Sequence, residues 1–220
     1  MTDIFNEIEE DIRRERMARI WKRFGPVIVA VALFIVLGVA GWRGWEWYSA
    51  NQAQEAGGTF EAAMALSESG DRAKAEETLA ELAKSGPSGY ALLARFRAAT
   101  ELAATNRAGA AVEQFEAISQ DISAPALVRD LARIRSALIL VDTGSQSDVA
   151  SRVEALAVAG NAWRHTAREL LALAAWKGNN AADTRRWAQE LVSDIEAPPG
   201  ARARGQVLLD LADSAAPSAP

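Results

Sequence analysis

Residues 24–42 read FGPVIVAVALFIVLGVAGW, without one charged side chain. At about 1.5 Å per residue such a helix is roughly 28 Å long, close to the ~30 Å hydrocarbon core of a bilayer. Val27, Val29, Val31, Leu33, Phe34, Ile35, Val36, Leu37 and Val39 point all round the helical wheel, whereas a helix packed against a soluble core keeps a polar face. The run predicts a transmembrane helix over 24–42.

Its flanks say which kind. A cleaved signal peptide has a short basic start and a small-residue cleavage site just after the apolar run. Here 23 residues come first, and Trp42, Trp45, Trp47 and Tyr48 follow. With Trp21, Lys22 and Arg23 at the other end, these are the expected membrane-interface anchors of an uncleaved signal-anchor. Arg13, Arg14, Arg16, Arg19, Lys22 and Arg23 precede the span, while only Arg43 follows it before Arg72. The positive-inside rule counts these Lys and Arg residues and puts the N-terminus in the cytoplasm. The rest of the chain then lies across the membrane.

The segment before the span, TDIFNEIEEDIRRERMARIWKRFG, reads as a helix with acids in its first turns and arginines in its last, matching the helix dipole. Ile4, Ile8 and Ile12, with Phe5 beside them, form a narrow apolar stripe. A solvated extension of the membrane helix is the expectation, with partner docking as the alternative.

After the anchor there is room for one soluble domain in a chain of 220 residues. Residues 1–23 carry equal numbers of acids and bases, so the net charge of −5 belongs to that domain. No basic patch invites nucleic acid. The chain has no cysteine, which removes disulfides, thiolate zinc sites and thiol nucleophiles together.

The soluble part lacks the period-2 alternation of strands and reads as all-α. Its punctuation repeats. SGDRA at 69–73, TNRAGA at 105–110, TGSQSD at 143–148 and KGNNAAD at 177–183 recur about 34 to 38 residues apart. Ala94-Arg95, Ala132-Arg133, Ala167-Arg168 and Ala203-Arg204 keep the same beat, as do breaks at Gly86-Pro87, Pro125, Gly160-Asn161 and Pro198-Pro199. Helix, turn, helix, break at this period is the pattern of a tetratricopeptide-like α-solenoid, whose units bury their apolar faces only by stacking.

First helices are expected near 47–69, 88–104, 124–142 and 162–177, second helices near 71–84, 108–120, 147–159 and 180–195, and a capping helix near 199–213. Gly57-Gly58 reads as a hinge or break before the first repeat. The boundaries that follow are a cytoplasmic helix over 1–23, the anchor over 24–42, a membrane-proximal linker or helix over 43–58, the repeat domain over 59–213 and a disordered tail over 214–220.

Phe60, Met64, Leu66, Leu92, Leu93, Phe96, Leu131, Ile134, Leu138, Leu170, Leu171 and Leu173 are expected to fill the space between helices. They are joined by the second-helix stripes Val112/Phe115/Ile118, Val149/Val153/Leu156 and Trp187/Leu191/Ile195.

Catalytic chemistry finds no foothold. His165 is the single histidine and reads as a surface or capping residue, since no second histidine or cysteine completes a metal set. Carboxylates are spread along helices, and none stands out as an acid or base. No catalytic residue, metal ligand or cofactor is expected. What stands out is Arg95, Arg133, Arg168 and Arg204 at equivalent places in successive first helices. Stacked in a solenoid they would form a ladder, and arginine grips carboxylates bidentately. They are the candidate partner-binding residues, for acidic side chains or a chain terminus. The competing expectation is that each pairs with a glutamate of an adjoining helix, such as Glu76, Glu113 or Glu154.

The opening MTDIFNEIEEDIRRERMARIWKRFGP, the exit GWRGWEWY, and the phrases ARFRAATELA, DLARIRSALILVDTG and WRHTARELLALAAWKGN resemble a bacterial family of inner-membrane tetratricopeptide-repeat-like proteins, ancillary subunits of the Sec translocon. The resemblance covers nearly the whole chain. It implies a single-pass protein with a periplasmic repeat domain beside the SecYEG channel and a membrane-anchored periplasmic chaperone of isomerase type, assisting secreted polypeptides as they emerge. The function expected is a non-enzymatic interaction module. An envelope adaptor for cell-wall synthesis or division, or a membrane-bound hydrolase with a cryptic carboxylate site, are the alternatives.

Overall fold

The structure is a computed structural model that describes residues 3–214, with side chains described at Ala18 and from Trp21 onward. The Ile4/Ile8/Ile12 stripe lies outside the described side chains, and of the tail expected over 214–220 only Ser214, the last residue of a helix, is described. The chain divides into two units, residues 1–54 and 55–220.

Unit 1 is a single stretch of helix, part of α1 (Asp3–Glu68). Pro26 sits inside it and leaves one carbonyl without its usual donor. The Trp21 ring lies over Gly25, 3.5 Å from where a Cβ would stand. Every large apolar side chain from Val27 to Val39 is exposed. This is one helix long and apolar enough to cross a membrane.

Unit 2 opens with the remainder of α1, from residue 55. It continues through α2 (Arg72–Ser85), α3 (Ser88–Ala104), α4 (Ala108–Gln120), α5 (Ala126–Thr143), α6 (Gln146–Val153), a 3₁₀ turn at Glu154–Leu156, α7 (Arg164–Lys177), α8 (Ala181–Ser193) and α9 (Pro199–Ser214). From α2 each helix packs on the next, and α5, α7 and α9 also pack in succession. Among the described residues the unit is all-helical, four pairs and a cap.

Local chemistry explains the regularity. Three of the four turns inside pairs are one device: Gly70, Asn106 and Asn179 take positive φ, and the next amide donates five residues back, Asp71 to Leu66, Arg107 to Leu102 and Asn180 to Ala175. This is the Schellman closure, which favours Gly or Asn. The fourth, at Ser145, uses a reciprocal capping box with Asp148 instead. Between pairs, Pro87 and Pro125 stand at the N-caps of α3 and α5, where a missing N–H costs little.

Alanine makes the stack close. Ala63, Ala75, Ala94, Ala99, Ala111, Ala132, Ala137 and Ala167 are wholly buried where helices meet, and Leu79, Phe115, Ile118, Val149, Val153 and Leu191 fill the gaps. Phe96 meets Phe115 edge-on at 5.0 Å, an arrangement favoured by the ring quadrupoles. A buried ionic knot ties the first pair to α3. Glu101 is fully buried and accepts from Ser67 at 2.7 Å and Arg72 at 2.8 Å, with Arg97 also 2.7 Å away. Burial pushes its carboxyl up, but Ser67, Arg97 and Arg72 outweigh that and hold it below the ordinary value.

Four expectations are corrected. Gly57-Gly58 is no hinge, because α1 runs through it unbroken. Gly57 admits Tyr90, whose hydroxyl lies 2.9 Å from the place a Cβ would occupy, while Gly58 faces open space. The helix expected over 147–159 ends at Val153 in a 3₁₀ turn, and beyond it the Ala157 carbonyl accepts from Arg168 Nε at 3.0 Å instead of from a helical amide. Leu93 and Leu138 are exposed: Leu93 shares its side of α3 with exposed Gly89 and Ala104, and Leu138 shares its side of α5 with exposed Arg135. Ile195 is also exposed, since α8 stops at Ser193 and leaves it in a loop.

Candidate functional site

The four ladder arginines occupy α3, α5, α7 and α9 as expected, but each engages different groups. Arg95 donates from Nη1 to Asp121 Oδ2 at 2.6 Å. Arg168 donates from Nη1 to Asp194 Oδ2 at 2.9 Å and to the Glu190 carbonyl at 3.2 Å, with Nε on Ala157. Arg204 forks onto Glu169, with Nη2 at 2.7 Å from Oε2 and Nε on the other oxygen. Among the described residues Arg133 reaches only Asp130 of its own helix, at 3.2 Å.

The expected glutamate of an adjoining helix is found at Arg204, as Glu169 of α7, but the partners are not Glu76, Glu113 and Glu154. Glu76 accepts from Arg107, and Glu113 and Glu154 are exposed. The principal partners are two loop aspartates. Both stand in the same short phrase, DISAP at 121–125 and DIEAP at 194–198, and both lie 26 residues beyond their arginine. The repeated phrase was the available sequence signal. In each copy the alanine is buried and the isoleucine faces out, Ile122 at 90% and Ile195 at 89% exposure.

Asp194 is the more heavily used. Arg164 Nε at 2.9 Å, His165 Nε2 at 3.0 Å and Arg168 converge on one oxygen, and the Glu196 amide donates to the other at 3.0 Å. Arg164 foremost, opposed by burial and aided by Glu196 and His165, holds this carboxyl well below the usual range. His165 is thus partly buried against a carboxylate, not a surface or capping residue. The Asp121 carboxyl is drawn down to about 2 by the Ser123 hydroxyl, then by Arg95 and the Ser123 amide.

One ladder residue lines a cleft. Arg133 lines a cleft of about 460 Å³ with Glu116, Ser119 and Gln120 of α4 and Arg152 of α6. Among the described residues no group of three His, Cys, Asp or Glu side chains is placed to hold a metal ion. Trp21, Lys22, Arg23, Trp42, Trp45, Trp47 and Tyr48, expected as membrane-interface anchors, are all exposed along α1. Trp45 and Tyr48 lie one turn apart with ring centroids at 6.5 Å.

The sequence model of the tetratricopeptide repeat-like domain matches residues 19–187. The chain belongs to that family. The match begins before the apolar segment and ends within α8, so this tetratricopeptide repeat-like protein carries its membrane-length helix inside the matched region. The fold is typically a scaffold for protein partners rather than an enzyme. No curated protein and no solved structure matches the chain.

Proposed function

We propose that this protein is a membrane-anchored protein–protein interaction module, ancillary to the Sec translocon, that assists chaperoning of secreted polypeptides on the far side of the bacterial inner membrane. The observation that carries the anchored reading is α1: one continuous helix supplies an exposed apolar stretch of membrane length and then the first helix of the repeat unit. The cluster from Arg13 to Arg23 supports a cytoplasmic N-terminus, and the division into 1–23, 24–42, 43–58, 59–213 and 214–220 belongs to the same proposal. The resemblance of the opening, the anchor exit and the repeat phrases to translocon-associated proteins supports SecYEG and a membrane-anchored periplasmic chaperone as partners. Confinement beside the membrane raises effective concentration and lets weak contacts suffice.

Site-specific photo-crosslinking tests the partners. A photoreactive residue placed at Ile122 or Ile195 should yield adducts with SecYEG subunits, the anchored chaperone or exported chains. Adducts confined to cell-wall synthases would replace this reading with the adaptor alternative.

A further inference from the structure

We infer that the cleft between α4 and α6 is a carboxylate-binding site for a protein partner, with Arg133 as the residue that grips it; this rests on the interaction-module reading above. Arg95 and Arg168 are each answered by a loop aspartate 26 residues on. At the corresponding place after Arg133 stands Ala159, which opens AGNAW over 159–163 where the other two pairs have DIxAP. Arg133 is consequently left with a single bond inside its own helix and a side chain 41% exposed.

The lining shows which cation is free to act. A guanidinium offers five N–H donors. Arg152 spends its Nε and Nη2 on Glu116 and its Nη1 on the Asp148 carbonyl and the Ser151 hydroxyl. It thus braces α6 against α4 and neutralises Glu116. Arg133 spends one donor, on Asp130 at 3.2 Å. The remaining donors form a planar fork suited to a carboxylate. Beside it Ser119 and Gln120 add polar groups to the wall; Arg152 is answered there by Glu116, while Arg133 is held only by the single 3.2 Å contact with Asp130. A carboxylate from an acidic side chain or from a chain terminus satisfies this chemistry equally.

The test is fluorescence anisotropy on the full chain in detergent with short labelled alanine-serine peptides. One carries paired glutamates and an amidated end, one carries glutamines and an amidated end, and one carries glutamines and a free terminal carboxylate. Acidic side chains, a free terminus, or both should bind about tenfold more tightly than the neutral amidated peptide, and the peptides that do so identify the source. Arg133→Gln and Ala155→Glu, the second placing a competing carboxylate in the cleft, should each abolish that preference, whereas Arg204→Gln should preserve it. Equal binding of all three peptides, or a preference that survives either Arg133→Gln or Ala155→Glu, overturns the site. Crosslinking to the translocon would be unaffected by that result, so the loss of this site and the loss of the proposed function are separate outcomes.

Discussion

Arg168 on α7 reaches 2.9 Å across to Asp194 in the loop after α8, closing a helix pair onto the start of the next element. Arg95 and Asp121 do the same two pairs earlier. The clamp is a structural use of an arginine that sequence reasoning nominated for partners. Asp194→Asn should lower the thermal midpoint more than Asp121→Asn does, because it removes the charge shared by Arg164, His165 and Arg168 together. Thermal unfolding followed by circular dichroism measures the difference. An equal or reversed order would mean that the hub adds nothing to a single pair.

The clamps also predict acid sensitivity. Asp121 titrates at about 2 in the folded protein against 3.8 ordinarily, so the unfolded chain takes up its proton first as pH falls. The stabilisation is therefore complete above about pH 4 and is lost between about 4 and 2. Denaturant midpoints across that window should fall less steeply for Asp121→Asn than for the parent chain. Parallel slopes would contradict the assignment.

The Glu101 knot joins α1, α2 and α3 through Ser67, Arg72 and Arg97. Glu101→Ala should cost about 2 kcal/mol, below the ~3–5 kcal/mol of a fully buried pair, because both arginines keep some contact with water. Equilibrium urea unfolding reads this directly.

Gly57 and Gly58 separate a hinge from a helix. In a continuous helix Gly58→Ala should stabilise by roughly 0.5–1 kcal/mol, since its Cβ meets nothing. Gly57→Ala should gain less, because the Tyr90 ring must give way. Destabilisation by Gly58→Ala would restore the hinge.

Much of this architecture was legible in the sequence because the turns are built from residues with few alternatives. Gly70, Asn106 and Asn179 accept the left-handed conformation, and Pro87 and Pro125 mark helix starts, so helix boundaries fall within a few residues of expectation. Side-chain partners were less legible. The arginine period was visible, but two of its answering groups, Asp121 and Asp194, lie in loops and not on helices; DISAP and DIEAP carried the signal. The early end of α6 could not be read from an alanine-rich run, and the carbonyl of Ala157 beyond it is taken up by Arg168 of α7, a contact no local pattern announces. Likewise the exposure of Leu93 and Leu138 follows from how helices pack, not from their own spacing.

The central claim is that an uncleaved helix over 24–42 holds the repeat unit outside the cytoplasm. A reporter enzyme active only in an oxidising, extracytoplasmic compartment, fused after Pro220 of the full chain, tests it most directly. High reporter activity is expected in membrane-bound, full-length fusion protein. An inactive reporter on stable membrane-bound protein would reverse the orientation, and an active reporter released in soluble, shortened form would show a cleaved signal peptide instead of an anchor.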